Sequence, residues 1–313
     1  MEKNKKSVLV ALCVTTFVSV FALAGCGVNS GEKEVGNSSG EKQMENTVTQ
    51  ESQSLGLTGV ANARQLGGYI TTDGKKIKDG VLLRTGQLSA ATSDDITALT
   101  DKFQLTEVID LRTTAEIEAA LDPAIEGVTE ERIPIIDESG SAYAVMTAGY
   151  TGDPIDHAIA QVENGTISDT MYSDLVMDTY GQNAYHEFFQ KLLAHKDGAF
   201  LFHCAGGKDR TGVAAVLLLS ALGVDRNTIM EDFILTNDFN AKNIAYVVSA
   251  AEKKTSDVKI LEGVKAAVGA DPNYMEKMFE AIDEKYGSMD VFLKEEIGLT
   301  DKDIAKLKDR YLE

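Results

Sequence analysis

Cysteine is scarce in this chain of 313 residues, and each of its three cysteines has another interpretation than a disulfide. Cys13 lies within an apolar amino-terminal segment, Cys26 lies at the end of that segment, and Cys204 lies in a glycine-containing loop. No pair is left to form a structural disulfide. An exported protein without disulfides is more typical of a bacterium with a single membrane than of a eukaryotic secreted domain.

Positive charge is also scarce, with 30 lysines and arginines against 49 aspartates and glutamates and a net charge of −19. Nucleic acid is therefore excluded as a partner, because binding a duplex needs a basic face. The charge also disfavours docking on anionic lipid, although it leaves room for a local basic site. The four histidines show no metal-ligand spacing, so we expect no metal and no cofactor. They are His157, His186, His195 and His203.

The amino terminus has the pattern of an export signal. Lys3, Lys5 and Lys6 precede an apolar run from Ser7 to Ala24, and small residues follow. Leu23-Ala24-Gly25-Cys26 resembles a bacterial lipobox, which implies cleavage before Cys26 and lipid attachment to it. An uncleaved membrane anchor is the alternative, because the run is close to the lower limit for spanning. Both interpretations predict an extracytoplasmic location, and the first predicts a chain held on the bacterial cell membrane by its lipid.

Three regions follow from composition. Residues 1–25 are the expected lipoprotein signal peptide. Residues 26–54 are rich in glycine and polar residues and predict a flexible linker. Residues 55–313 alternate strand and helix patterns, which predicts an α/β domain with a mostly parallel central sheet, flanking helices and a helical carboxyl-terminal part. The expected strands are Val81–Arg84, Glu107–Leu111, Arg132–Ile136 and Ala199–Phe202.

One stretch carries the chemistry, and it is His203-Cys204-Ala205-Gly206-Gly207-Lys208-Asp209-Arg210-Thr211-Gly212. An apolar strand leads into it and an apolar helix, Val213–Leu222, leads out. Such a loop aims its backbone N–H groups at one point beside the positive end of the helix, which makes a site for an anion. Arg210 can fork across two oxygens of a phosphate, and Cys204 can attack phosphorus as a thiolate. The candidate phosphate-binding residues are Ala205, Gly206, Gly207, Lys208, Asp209 and Arg210.

This stretch resembles the cysteine-based phosphatase signature, His-Cys-x5-Arg-Ser/Thr. The opening segment Asn62–Tyr69 resembles that of bacterial tyrosine and dual-specificity phosphatases active on phosphoinositides, although Ala63 and Gln65 depart from the pattern. The resemblance covers residues 55–313. It implies hydrolysis of phosphotyrosine, phosphoserine or phosphothreonine proteins, or of phosphoinositides, through a phosphocysteine on Cys204.

The neighbours of Cys204 have expected roles of their own. The Thr211 hydroxyl can donate to the Cys204 sulfur, and His203 is expected to orient the loop. Lys208 would add positive charge beside the phosphate, which suits substrates with more than one phosphate. Asp209 and Asp137 are both candidates for the general acid, and the sequence does not choose between them.

Other parts of the domain leave alternatives open. Residues 139–181 show no clean strand, and the resemblance implies a helical lid there. The alternative is an ordinary connecting helix over 169–180 with its aromatic residues in the core. Asp110 and Arg112 are expected to form a structural charge pair, and Arg64 would either brace the phosphate loop or cover the surface.

Other function classes fit the residues less well. A non-catalytic phosphate-binding lipoprotein would usually lack the cysteine or the arginine, and both are present. A sulfurtransferase also uses a loop cysteine but does not need Arg210 and Thr211. A structural lipoprotein would leave the agreement of several motifs unexplained. A Walker-type nucleotide loop requires serine or threonine where Asp209 follows Lys208. Substrate preference and oligomeric state do not follow from the sequence.

Overall fold

The computed structural model describes residues 49–140, 153–165 and 168–313. A five-stranded sheet lies at the centre of this fold. The sheet order is β1-β2-β5-β3-β4. Only the pairing of β1 with β2 is antiparallel, and the other three pairings are parallel. The predicted α/β fold with a mostly parallel sheet is therefore confirmed. The strands are β1 (Arg64–Gln65), β2 (Leu82–Thr85), β3 (Leu105–Asp110), β4 (Thr129–Arg132) and β5 (Ala199–His203).

The strand register brings three chain segments to one edge of the sheet. His203, the last residue of β5, lies opposite Thr85 of β2 and Asp110 of β3. Because these strands run parallel, the loops that follow them leave from the same carboxyl edge. The loop after β5 is therefore flanked by the loops after β2 and β3.

The central strands bury both of their faces, as expected of a parallel sheet. Phe200 and Phe202 of β5 face the larger core, whereas Leu201 between them faces the smaller one. Helices cover both faces. The helices of the described residues are Gln50–Gln53, Ser93–Thr97 with a π-helical continuation over Ala98–Lys102, Thr114–Ala119, Pro154–Glu163, Met171–Met177, Thr179–Ala194, Arg210–Leu222, Arg226–Ile234, Thr236–Phe239, Ala241–Glu252, Val258–Val268, Pro272–Tyr286, Met289–Glu295 and Asp301–Tyr311.

The helices of the carboxyl-terminal part begin and end at residues that favour helix termini. Asp225 caps the helix Arg226–Ile234, with its carboxylate accepting from two backbone N–H groups. Asp271 caps the helix Pro272–Tyr286, and Pro272 occupies its first position, where the missing N–H costs nothing. Gly287 ends that helix in the left-handed conformation that glycine adopts without strain.

The third predicted strand was placed too far along the chain. β4 covers Thr129–Arg132, not Arg132–Ile136. The apolar residues that suggested the strand, Ile133 and Ile135, are buried in the larger core but lie beyond the strand. Pro134 between them has no N–H to donate to a ladder, so strand pairing ends before it.

The amino-terminal predictions fall largely outside the described residues. These include the signal peptide (1–25), Cys26 and most of the predicted linker (26–54). At the end of the predicted linker the structure has a short helix, Gln50–Gln53, capped by Thr49. Gln53 is buried, so the folded part of the chain includes residues before Leu55. Among the described helices, none has the length and apolar character needed to cross a membrane.

The region predicted as a lid or connecting helix (139–181) divides into two parts. Its residues 141–152 and 166–167 lie outside the described chain. The helix Pro154–Glu163 packs on Ala241–Glu252 and Val258–Val268 around a small separate core. The helix Met171–Met177 belongs to the main core, where Tyr172 is buried. This second part has the buried aromatic residue of the connecting-helix interpretation, but in a shorter helix than 169–180, and the lid stays a prediction.

Candidate active site

The loop from Cys204 to Asp209 joins β5 to the helix Arg210–Leu222 at the carboxyl edge of the sheet. The helix is buried along its whole length except at Ser220, so it runs through the core directly behind the loop. Cys204 is 1% exposed and Arg210 is 3% exposed. The predicted arrangement of strand, loop and buried helix is present.

The backbone of this loop offers a set of hydrogen-bond donors. Within the described chain, no group accepts a hydrogen bond from the amides of Ala205 to Asp209. These amides precede the amino-terminal end of a helix, whose dipole places partial positive charge there. Unpaired amides at a helix amino terminus form a site that binds a tetrahedral oxyanion.

Gly207 lets the loop turn tightly against β2. Its φ is +63°, and a Cβ at this position would lie 2.4 Å from the Thr85 carbonyl oxygen. The Asn62 side chain donates to the Gly207 carbonyl at 2.8 Å, and the Gln87 amide donates to the Ala205 carbonyl at 3.0 Å. The loop carbonyls are thus tied to the segments before and after β2, which leaves the loop amides available.

A buried ion cluster supports the loop further. Asp232 accepts from Arg64 Nε at 3.1 Å, from Arg84 at 2.5 Å and from the Tyr69 hydroxyl at 2.9 Å. Arg84 also donates to the Gly207 carbonyl at 2.9 Å. Burial opposes ionisation of Asp232, but the two arginine charges outweigh it and lower the pKa of this carboxyl. Of the two interpretations of Arg64, bracing the loop is the correct one.

Glu116 holds the predicted phosphate-binding arginine. Both terminal nitrogens of Arg210 donate to the two oxygens of Glu116, each at 2.6 Å. Burial opposes the charge of Glu116, yet Arg210 outweighs it and lowers the pKa of the carboxyl to about 2. Thr113 also donates to Glu116 through its amide and its hydroxyl, both at 2.9 Å. Arg210 Nε is buried and has no partner in the described chain, so it remains available to an oxyanion.

The tyrosine phosphatase family model matches residues 55–313 of this chain, which include the whole site. The chain belongs to the tyrosine phosphatase family. This confirms the resemblance inferred from the loop and identifies the chain as a protein-tyrosine phosphatase. The match begins at the residue where the sequence predicted the folded domain to start.

Individual relatives agree with the family. A Cupriavidus necator protein, provisionally named a tyrosine-protein phosphatase, is 29% identical over 82% of this chain and 88% of its own length. The triple specificity protein phosphatase PtpB of Mycobacterium tuberculosis is 23% identical over 80% of this chain and 96% of its own length. A tyrosine-protein phosphatase of Nostoc commune is 29% identical over 42% of this chain and 45% of its own length.

Lys208 of the phosphatase contacts the end of a neighbouring helix. Its ammonium donates to the carbonyls of Ala267 and Gly269, the latter at 3.0 Å, and lies 3.3 Å from Asp209. The Ala267 carbonyl belongs to the last turn of the helix Val258–Val268, where carbonyls lack helical partners and carry partial negative charge. The ammonium is therefore attached to this helix end, and its role beside a substrate phosphate stays a prediction.

The two candidate acids of the phosphatase lie in different surroundings. Asp209 is 6% exposed, precedes the catalytic helix directly, and accepts from the Tyr172 hydroxyl at 2.8 Å. Asp137 lies in the loop after β4 and accepts from the hydroxyl and amide of Ser139, which lower the pKa of its carboxyl. Within the described chain, Asp137 makes no hydrogen bond or ion pair with the loop Cys204–Asp209.

The hydroxyl of Thr211 does not make the expected bond. It is buried and has no hydrogen-bond partner among the described residues, so it does not donate to Cys204 Sγ. Thr211 is the second residue of the helix, so it lies beyond the loop whose amides face the oxyanion site. Donation to the sulfur therefore requires a change from the geometry of this structure.

Behind β5 a second buried charge cluster orients the phosphatase loop. The Arg112 guanidinium binds Asp110 and Asp122, each at 2.8 Å, which confirms the predicted pair and adds Asp122 to it. His203 lies 3.3 Å from Asp122 and 3.3 Å from the Cys204 carbonyl. These carboxylates and His203 are close enough to chelate an ion, but Arg112 already supplies positive charge to both carboxylates. The cluster is therefore structural.

Sequence reasoning missed Glu116 and Asp232 as members of the site. Thr113 and Glu116 have the spacing of a capping box, which is a signal for a helix start rather than for a partner of Arg210. Asp232 follows Ile229 at helical spacing and precedes Phe233, so it is a carboxylate on a buried helix face. A charged residue in such a position signals a buried ion pair, but the sequence does not say with which arginine.

Proposed function

We propose that the phosphatase hydrolyses phosphomonoesters through a phosphocysteine on Cys204. The observation that carries this is Cys204 at the start of a loop of unpaired amides, with Arg210 directly after that loop. In the first step the thiolate sulfur forms a bond to phosphorus as the bond from phosphorus to the ester oxygen breaks. The loop amides and Arg210 stabilise the charge on the equatorial oxygens.

The second step releases inorganic phosphate. Water attacks the phosphorus of the phosphocysteine, and the sulfur leaves as a thiolate. In our proposal the Thr211 hydroxyl turns to donate to that thiolate, which favours it as a leaving group. Support for this role is that the hydroxyl is buried at the helix amino terminus without a competing partner in the described chain.

We assign the role of general acid to Asp209 rather than Asp137. A general acid must carry a proton that it can deliver to the leaving oxygen. The carboxylate of Asp137 bonds to Ser139 in the loop after β4, and within the described chain it makes no hydrogen bond or ion pair with the phosphate loop. Asp209 is instead the last residue of the phosphate loop, buried directly before Arg210.

Proteins carrying phosphotyrosine are the substrates we propose first, with phosphoserine or phosphothreonine proteins and phosphoinositides as further substrates. The family description supports the first class. The name of the M. tuberculosis relative, a triple specificity phosphatase, supports a wider range. Lys208 is relevant to a substrate with a second phosphate, because that phosphate would have to draw its ammonium away from Ala267, Gly269 and Asp209.

The proposed location is outside the cytoplasm, on the bacterial cell membrane. Support comes from the sequence Leu23-Ala24-Gly25-Cys26 after an apolar run. In a bacterial expression host, Cys26→Ser is expected to leave the phosphatase without its lipid. The variant should then no longer be held in the membrane fraction by that lipid. Retention of radiolabelled lipid by that variant would contradict the proposal.

The test of the activity compares the full chain with Cys204→Ser on a phosphotyrosine peptide and on a phosphoinositide. Chelator and reductant are present throughout. We expect phosphate release by the natural chain and a decrease of at least about a thousandfold in the variant. The ratio of the two natural rates then gives the substrate class. Release from neither substrate would overturn the proposal and favour phosphate binding alone, and formation of thiocyanate from thiosulfate and cyanide would favour a sulfurtransferase.

A further inference from the structure

The carboxyl group of Asp209 is held on one side by a hydrogen bond and an ion pair. The Tyr172 hydroxyl donates to Asp209 Oδ1 at 2.8 Å, and the Lys208 ammonium lies 3.3 Å from the same oxygen. All three side chains are buried, with exposed fractions of 1% for Tyr172, 4% for Lys208 and 6% for Asp209. Burial thus shields both contacts from water. Interactions with a charged group are stronger in the protein interior than in water.

Tyr172 is itself fixed in the core. It lies on the helix Met171–Met177, and its ring meets Phe233 edge-on at a centroid distance of 5.7 Å. Tyr274 packs on it in a second edge contact at 6.3 Å. A ring held by two others at steep angles has little freedom to turn. The hydroxyl therefore occupies a set position relative to the loop.

We infer that Tyr172 is a positioning residue that sets which oxygen of Asp209 delivers the proton. This inference rests on the proposed role of Asp209 as the general acid. Because Tyr172 donates to Oδ1 and the Lys208 ammonium forms an ion pair with the same oxygen, that oxygen serves as the acceptor. The transferable proton then resides on Oδ2, and the rotation of the carboxyl group is fixed by the bond from Tyr172.

The two steps of the reaction balance with this arrangement. As the Cys204 sulfur bonds to phosphorus, the proton on Oδ2 moves to the departing ester oxygen, and Asp209 becomes a carboxylate. Tyr172 and Lys208 stabilise that buried carboxylate through Oδ1. In the second step the carboxylate takes a proton from the attacking water, which restores the acid and gives phosphate.

Leaving-group dependence tests the inference. Proton delivery matters most when the departing oxygen is basic, as in phenyl phosphate, and less for p-nitrophenyl phosphate, whose phenol is more acidic. For Tyr172→Phe we expect kcat/KM to fall about tenfold on phenyl phosphate and less than about threefold on p-nitrophenyl phosphate. Tyr274→Phe is the matched control, because it removes a neighbouring hydroxyl and keeps the ring, and its ratio of the two values should equal that of the natural chain.

Two further measurements separate positioning from damage to the fold. Competitive inhibition by inorganic phosphate should change less than about twofold in Tyr172→Phe, because the phosphate loop is intact. In an Asp209→Asn background, adding Tyr172→Phe should change kcat/KM on phenyl phosphate less than about twofold, since the acid is already absent. Equal decreases on both aryl phosphates, or an additive effect in the double variant, would overturn the inference.

The outcome for Asp209 distinguishes this inference from the proposed function. Asp209→Asn alone should lower kcat/KM on phenyl phosphate by about a hundredfold or more, with a smaller loss on p-nitrophenyl phosphate. If it shows that selectivity and Tyr172→Phe does not, only the role of Tyr172 is wrong. If Asp209→Asn shows no selectivity, the acid assignment itself is wrong.

Discussion

Glu116 meets Arg210 with both carboxylate oxygens on both terminal guanidinium nitrogens, each pair 2.6 Å apart. The two residues come from separate parts of the chain, since Glu116 follows β3 and Arg210 follows β5. Glu116 is fixed in turn by Thr113 at the start of its own helix. The capped helix thus sets the plane of the guanidinium, and Arg210 Nε remains for the phosphate.

This pair predicts an acid-dependent stability. The pKa of Glu116 lies at about 2, below its ordinary value of 4.5, because the charge of Arg210 outweighs the effect of burial. A depressed pKa gives stability that is present above 4.5 and is lost as the pH falls toward 2, with a total of about 3 kcal/mol. A glutamine at position 116 has no carboxyl group to titrate, so the Glu116→Gln variant lacks this part of the pH dependence.

Urea unfolding of the natural chain and of Glu116→Gln measures this contribution. The difference in their free energies of unfolding should shrink by about 2 kcal/mol between about pH 6 and about pH 3. Subtracting the variant cancels the titration of the other carboxylates common to both chains. A difference that stays constant across this range would mean that Glu116 does not titrate with folding.

Asp232 predicts a large effect on stability because it neutralises two buried arginines. Asp232→Asn would leave Arg64 and Arg84 without their carboxylate, and breaking a buried pair in this way costs about 3–5 kcal/mol. Asp283→Asn is the matched control, since Asp283 pairs with Arg226 at an exposed site. We expect that control to cost less than about 1 kcal/mol in urea unfolding. Similar losses in the two variants would contradict a supporting role for the Asp232 cluster.

The loop and the sheet were predictable because their signals are local. A strand that ends at His203, a glycine turn and an apolar helix are adjacent in sequence, and the parallel register follows from alternation of strand and helix. Cys204 and Arg210 lie in one short stretch whose residue types agree. The loop could therefore be placed at a carboxyl edge of a sheet from the sequence alone.

Partners from distant segments were not predictable in the same way. Glu116 is far from Arg210 in sequence, and its local pattern has a complete explanation as a helix cap. Lys208 lies in the same loop as Cys204, yet its ammonium binds carbonyls of Ala267 and Gly269, because a helix end packs there. Such contacts depend on how helices pack, and composition and periodicity do not encode that.

Replacing Gly207 is expected to lower activity, because a side chain there would collide with β2. Alanine there would place a Cβ 2.4 Å from the Thr85 carbonyl oxygen, so the loop would have to move away from β2. We expect kcat/KM on p-nitrophenyl phosphate to fall about a hundredfold in Gly207→Ala, because the loop amides leave their positions. Gly287→Ala is the control: Gly287 also has a positive φ, but no atom lies within 4 Å of its added Cβ. The Gly287→Ala variant should lose about 1 kcal/mol of stability and keep its activity. Equal activities in the two variants would argue against the steric role of Gly207.

Lys208 predicts that the phosphate loop and the helix Val258–Val268 stabilise one another. Its ammonium is bound by the carbonyls of Ala267 and Gly269, and hydrogen bonds from a charged group contribute about 1.5–3 kcal/mol. Lys208→Met keeps the length of the side chain and removes these bonds, so amide hydrogen exchange in Val258–Val268 should accelerate about tenfold or more. Lys265→Met changes an exposed lysine of the same helix and should leave the exchange rate unaltered. Equal exchange in the natural chain and Lys208→Met would mean that this helix is held by its apolar contacts with the helices Pro154–Glu163 and Ala241–Glu252 alone.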